Sequence, residues 1–492
     1  MKKYILYILF IPALLLGSCN KWLEIDPDDR IMENNLFSDR EGFMVALNGV
    51  YIEMSSTTLY GGWMQVGLFD VLAQYYTEAM GYNTHSFSNY KDFQYEQEGV
   101  KKTYQEIWEK YYNLIINCNS IIEHCDKSKD ILGEKYYSLI KGEALALRAF
   151  FHFEVLRIWG PIFKENPEGL SIPYAESSKI EVRPLLTGNT VYEKILKDLQ
   201  DAETLMKEQD PIITEGVLFT PGGFGESNDM RYRNLRLNYF AVQALIARAA
   251  LYCNDRATAL DYAKRVVTAV QKEKDAIFPF IVRGQDEQDR VYKTELIFAQ
   301  YNLKRSDLWK NYFSNSLSDA NVLRVSDATV DDMYEETDYR YKTQWKKAKS
   351  PQEVEQYYFT KYKDVTLSDP DSEKEKQQKE YRYLVPMIRI SEMYYIIAEC
   401  ESDQTLALEA INKVRNARAL KNLTDYSLLA NELEKEYKRE FIGEGQLFFY
   451  YKRLAQKEIV YGQGSWGPLT VTMNTEKYIP ELPDSEKNNR IE

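Results

Sequence analysis

Residues 238–270 read NYFAVQALIARAALYCNDRATALDYAKRVVTAV, and this stretch decides the fold class. Apolar residues recur at three- and four-residue steps on both sides of a turn-like break, Cys253-Asn254-Asp255-Arg256. That spacing predicts helices over Asn238–Tyr252 and Ala257–Val270. Alanine falls at 241, 244, 247 and 250 on the first helix and at 259 and 263 on the second. Small side chains in such rows let two helix axes approach closely, as in a tetratricopeptide hairpin. A second pair of this kind is predicted over Ile390–Glu401 and Thr405–Ala419, with Ala398, Ala407, Ala410 and Ala417. No fixed period links the two pairs, so irregular helical hairpins are expected and not a regular solenoid.

Outward from these pairs, most of the chain carries the same periodicity. Lys101–Lys127 places Tyr104, Ile107, Trp108, Tyr111, Ile115 and Ile116 on one stripe, and Gly133 breaks the pattern. Glu134–Trp159 is a second long helix, stopped by Gly160-Pro161. Thr190–Lys207 is a third, with Asn189 or Thr190 as its N-cap. Between the hairpins, 278–380 is poor in helix signal, with a short strand at Glu295–Gln300 and a charged loop at 368–380. Pro211–Arg233 is a glycine-rich loop, and the loops at 81–99 and 301–319 mix aromatic and polar residues. The expected class is all-α: irregular tetratricopeptide-like hairpins with long loops and minor β structure.

Composition narrows the function. The 492 residues are 44% hydrophobic and 28% charged, which is globular and not disordered. A net charge of −13 repels phosphate backbones, so no nucleic-acid partner is expected. A mean hydropathy of −0.49 excludes a polytopic membrane protein. With 3 His and 5 scattered Cys there is no metal-ligand pattern, no cofactor motif and no disulfide framework.

The N-terminus reads as an address. Lys2 and Lys3 precede an apolar run, Tyr4–Leu16, too short to span a bilayer but suited to a signal peptide. Leu16-Gly17-Ser18-Cys19 resembles the lipobox of bacterial lipoproteins, which implies acylation of Cys19 and anchorage in outer-membrane lipid. Glu24, Asp26, Asp28 and Asp29 resemble the surface-export tether of Bacteroidetes lipoproteins. The expected organisation is a signal peptide at 1–18, an acidic tether at 19–36 and one domain over 37–492. Within that domain an N-terminal part spans about 37–233 and a C-terminal part about 234–492.

Further motifs run in order along the mature chain. They are Trp22-Leu23-Glu24-Ile25-Asp26-Pro27, Leu147-Arg148-Ala149-Phe150-Phe151-His152-Phe153, Trp159-Gly160-Pro161-Ile162, Asp338-Tyr339-Arg340 and Lys361-Tyr362. Ile388-Arg389-Ile390-Ser391-Glu392-Met393-Tyr394 and Arg439-Glu440-Phe441 complete the set. Together they resemble the SusD/RagB-type nutrient-binding lipoproteins. The resemblance implies a non-enzymatic surface binder of glycans or peptides, partnered with a SusC-type TonB-dependent β-barrel transporter.

Several residues invite sharper readings. Arg148 is expected to bond helix-end carbonyls or a carboxylate. Glu392 and Glu399 on one helix, and Arg415 and Arg418 on the next, predict a buried inter-helix ion network in preference to a catalytic acid pair. Gly462–Gly467 matches G-x-G-x-x-G but lacks the strand–helix context of a dinucleotide site, so it is expected to be a loop. Cys118 and Cys125 are two buried thiols along one helix. Ring faces match the C–H faces of pyranoses, and amides or guanidinium groups satisfy hydroxyls, so a sugar platform is sought on exposed loops. The candidates are Tyr82, Asn83 and Tyr90 in the first loop, with Asn89 beside them, and Arg305, Trp309 and Tyr312 in the later one, with Asn311. Trp108 and Tyr112, locked at helical spacing, belong to the core. The alternatives to a glycan carrier are a peptide-binding or purely structural lid of the same importer, and a secreted glycan-degrading enzyme.

Overall fold

Helices form where the three-four spacing predicts them. The computed structural model describes residues 35–490 apart from 77–84, 224–226, 273, 370, 373–374, 377–378, 465–466 and 489. Helix α1 (Arg40–Met54) is capped by Asp39, whose carboxylate accepts from Gly42 N at 2.9 Å. Helix α2 (Glu98–Lys127) is followed by α3 (Lys129–Trp159), and Gly133 sits inside α3 with φ +64°. The predicted break is thus real but comes in two steps, a turn at Ser128 and a kink at Gly133. Helix α4 (Gly188–Met206) starts earlier than its sequence signal. Its cap is Thr187, not Asn189 or Thr190, because a bridge between Leu170 and Thr187 delivers the Thr187 hydroxyl to Thr190 N at 3.2 Å. Helix α3 packs against both α2 and α4.

The alanine-rich stretch forms α5 (Tyr239–Tyr252) and α6 (Arg256–Val270). Asn238 caps α5 by accepting from Ala241 N at 3.0 Å, and its amide donates to Ile297 O at 2.9 Å. Asn254 takes φ +65° in the turn, and Asp255 caps α6 through Thr258 N. Ala241, Ala244, Ala247, Ala259 and Ala263 are completely buried, as close helix approach requires. Strand β1 (Leu296–Tyr301) pairs antiparallel with β4 (Leu384–Arg389).

Between those strands, the helix-poor segment holds short helices at Ser306–Tyr312 (α7), Asp327–Met333 and Tyr339–Gln344, and a hairpin of β2 (Trp345–Lys349) and β3 (Glu355–Phe359). These helices span at most two turns, too few for a periodic signal. The second hairpin is α8 (Ile390–Cys400) and α9 (Gln404–Ala417), followed by α10 (Leu429–Phe441) and α11 (Leu447–Leu454). Gly462–Gly464 and Gly467 lie in strands, where the sequence predicts a loop. Strands β5 (Glu458–Gly464) and β6 (Gly467–Thr472) form an antiparallel hairpin there, with Pro468 opposite Gln463 near its turn. A continuous buried cluster runs from Phe37 to Tyr478.

Two kinds of interior share this frame. Among α2, α3 and α4, Arg148 meets one carboxylate, Asp198, through Nε at 2.7 Å and Nη2 at 2.6 Å, and one amide, Asn119, at 2.9 Å. The Tyr174 hydroxyl donates to Asp198 at 2.6 Å. His152 stacks on Tyr174 and accepts from Ala175 N, and burial pushes its pKa well below the ordinary value, so it stays neutral.

Around α10 the arrangement is different. Arg418 grips Glu295 at 2.7 and 2.6 Å and Glu440 at 2.5 Å. Arg340 reaches Asp338, Glu436 and Glu440 at 2.8, 2.8 and 3.0 Å. Glu444 accepts from Arg389 and, at 2.5 Å, from Lys361. Arg415 and Arg439 engage Glu432 and Glu436. Carboxylates and cations occur here in equal number. Burial alone would raise the pKa of Glu436, but Arg340 and Arg439 outweigh it and hold the acid at about 2.

The ion network expected within the second hairpin is therefore wired outward. Glu392 pairs with Arg248 on α5 at 2.6 Å, and Glu399 with Arg453 on α11 at 2.6 Å. Arg415 and Arg418 turn to α10 and Glu295. Helical spacing shows which side chains share a face, not which element covers it.

Candidate functional site

The two aromatic loops meet. Ser86 N donates to Ala320 O at 3.0 Å. His85 Nε2 donates to Val322 O at 3.1 Å while Nδ1 accepts from Phe87 N at 3.1 Å, which fixes the tautomer. Burial pushes the His85 pKa down, so the bridge is made by the neutral ring. The Phe87 ring lies 6.2 Å from Tyr312, closing the seam with an apolar contact.

Beneath the seam runs a single π-turn, Trp63–Gly67, against which α7 packs. Gly62 precedes it for a steric reason. A Cβ there would stand 2.5 Å from Thr57 O and 3.1 Å from the Tyr312 hydroxyl. The absent side chain lets Tyr312 close on the turn. Trp63 stands 5.3 Å from Phe87 and 5.2 Å from Tyr90, ring centre to ring centre, and remains half-buried.

The sequence candidates divide here. Tyr312 and Trp309 are half-buried on the same face of α7, three residues apart, with Asn311 exposed between them and Asn89 exposed on the first loop. Tyr90 is buried at 8% exposure, its hydroxyl 2.8 Å from Thr103 Oγ1, so it supports Trp63 from below and offers no ring face to solvent. Arg305 is 1% exposed and donates to the carbonyls of Tyr381 and Lys363. It is a scaffold residue, and burial pushes its pKa down to about 10. Tyr82, Asn83, Cys19 and Trp466 lie outside the described residues. Trp63 is the ring that sequence reasoning missed. Its signal is the pair Gly61-Gly62, which interrupts any helix and marks a close approach of two backbones.

Lys363 also went unnoticed, beside the Lys361-Tyr362 motif. Its ammonium lies 5.0 Å over the Trp309 ring centre. Cys118 and Cys125 are buried free thiols, as expected, and burial raises both pKa values, Cys125 to about 12. Among the described residues no group of three or more His, Cys, Asp or Glu is placed to hold a metal ion. The seam presents ring faces and amides, groups that suit a ligand with apolar faces and hydroxyl edges.

Comparison with known proteins gives a consistent result. A family model described as "Starch-binding associating with outer membrane" matches residues 21–214, and one described as the SusD family matches residues 252–490. SusD-like protein P38 of Formosa agariphila is 23% identical over 220 residues, 41% of this chain and 38% of that protein. The match thus spans well under half the length of this curated relative. A SusD-like carbohydrate binding protein from Bacteroides vulgatus superposes with a TM-score of 0.67 at 17% identity, covering 92% of this chain and 96% of that one. A SusD superfamily protein from Bacteroides thetaiotaomicron does so with 0.68 at 19% identity, covering 92% and 98%. At these identities the likeness is one of fold, and it bears out the all-α class read from the alanine-rich hairpins.

Proposed function

Because the chain belongs to the SusD/RagB family, we propose that it is a surface lipoprotein that captures glycans and passes them to a SusC-type TonB-dependent transporter. It breaks no bonds in its cargo. The observation that carries this reading is the seam. Half-buried Trp63 and Tyr312 and exposed Asn89 and Asn311 come from three distant stretches of chain and converge where two loops are pinned together. A platform of rings fixed over a rigid helical body gives up little entropy when a sugar binds.

Attachment would run through Cys19 and its acyl chains to the outer membrane. Among the described residues no helix is long and apolar enough to cross a membrane. The single domain expected over 37–492 is supported by the unbroken core from Phe37 to Tyr478. Two acids once weighed as a hydrolytic pair, Glu392 and Glu399, are each engaged by an arginine, which speaks against that role.

The test is affinity electrophoresis of the chain from residue 20 onward through native gels containing a panel of neutral and acidic polysaccharides. Retardation by at least one is expected, together with loss of at least about tenfold in affinity for Trp63→Ala and Tyr312→Ala at unchanged thermal stability. Retardation that survives both substitutions places binding elsewhere. No retardation at all favours a structural lid, and released sugar from any gel favours an enzyme.

A further inference from the structure

The Trp309 end of the seam differs from the Trp63 end, and the difference concerns charge. We infer, building on the glycan-binding reading above, that the cargo carries an anionic group, a uronate carboxylate or a sulfate ester, and that Lys363 receives it.

Lys363 is exposed, and its ammonium rests over the Trp309 ring with no carboxylate partner among the described residues. Its position is built, not incidental. Arg290 Nη1 and Arg305 Nη2 both donate to the Lys363 carbonyl, at 2.9 and 3.4 Å. Two guanidinium groups on one carbonyl fix the backbone from which the ammonium extends. Arg305 is itself buried, has no carboxylate ion-pair partner among the described residues, and leaves its Nε without a hydrogen bond there.

The carboxylates of the neighbourhood are already committed. Asp364 accepts from Arg382 at 3.0 Å, Asp286 from the Tyr381 hydroxyl at 2.7 Å, and Asp289 from Lys293 N at 3.0 Å. Asp286, Asp289 and Asp364 set their negative charges beside Arg290, Arg305 and Arg382, which leaves the Lys363 ammonium as the cation they do not offset, on a chain whose net charge is −13. A buried arginine elsewhere in this molecule meets at least one carboxylate, as Arg148, Arg233, Arg340 and Arg418 do. The exception lies next to the seam.

The chemistry that fits follows from the geometry. An ammonium parked on an indole face occupies the area on which a neutral pyranose would stack, so an uncharged sugar must displace it. An anionic substituent instead accepts a charge-assisted hydrogen bond from Nζ and leaves the cation on the ring. The Trp63–Tyr312 end then holds the sugar body while Lys363 reads its charge.

Paired probes isolate that charge. Calorimetric titration of the chain from residue 20 onward would use hexagalacturonate against its fully methyl-esterified form, and an ι-carrageenan hexasaccharide against its desulfated form. The expected result is that at least one anionic member binds about tenfold or more tightly than its neutral partner. Lys363→Ala should erase the preference and Lys363→Arg should keep it, whereas Tyr312→Ala should weaken both members of the pair alike. Preference in the first pair alone assigns a uronate, and in the second alone a sulfate ester. Equal binding of charged and neutral members, a preference that survives Lys363→Ala, or no binding by either pair overturns the inference. The glycan-binding reading is judged separately by the polysaccharide gels.

Discussion

The two interiors of this chain bury arginine in opposite ways. Where α2, α3 and α4 meet beside the stacked His152 and Tyr174 rings, one guanidinium, Arg148, meets one carboxylate, Asp198. Around α10, Glu440 alone touches Arg340, Arg389 and Arg418, and each of those reaches a further acid. A lone ion pair can be exchanged for apolar groups of the same shape at small cost, because removing both partners leaves no buried charge unpaired. An interlocked network cannot, because every deletion strands a neighbour in low dielectric. The difference separates a region held by packing from one held by mutual charge satisfaction.

The comparison can be broken by mutation. Arg418→Met should cost about 3–5 kcal/mol in urea unfolding, since Glu295 and Glu440 both lose their main partner. Adding Glu440→Gln should not restore it, because Arg340 and Arg389 are then short of an acceptor. In the other region Arg148→Met should cost about 3 kcal/mol, and the double change with Asp198→Leu should recover part of that loss, the rest being the bonds that Tyr174 and Asn119 give up. Recovery in both regions, or in neither, would erase the distinction drawn here.

A smaller effect tests packing directly. Ala247→Leu, between α5 and its neighbours, should destabilise by about 1–3 kcal/mol through overpacking, with no change in pH dependence. Smallest at neutral pH is the acid response. Glu436 is held near 2 and Glu440 well below its ordinary value, burial notwithstanding, by the arginines around them. Depressed folded-state values add stability that is complete above the ordinary carboxylate range and is lost as pH falls through about 2. Protection of the α10 amides, corrected for the intrinsic exchange rate, should therefore be full above about pH 5 and decline progressively from there to about pH 2. Protection that stays constant from about pH 5 down to about pH 2 would show that the arginines do not hold these acids.

Much of the frame was legible in the sequence because it rests on local rules. Alanine rows at 241–250 and 398–417 mark close helix pairs, and Gly160-Pro161 ends α3 where expected. What could not be read depends on partners far along the chain. Thr187 became a cap only because Leu170 bridges to it. Tyr90 and Arg305 look like ideal loop contacts, yet Thr103, Tyr381 and Lys363 draw them inward. The β5–β6 hairpin hid behind its glycines, whose low strand preference gives no alternating signal. Half of the platform was visible as rings in loops. Trp63 was not, because a π-turn has no sequence period of its own.

The wiring of the charged interior also sets an order of events during synthesis. Glu295 waits 123 positions for Arg418, and Asp70 waits 373 for the amide of Gly443. A polypeptide leaving the ribosome from its N-terminus therefore keeps these acids in water, without their distant partners, until most of the chain has been made. It cannot lock prematurely. The same delay makes any product cut short before α10 a ready target for proteolytic clearance.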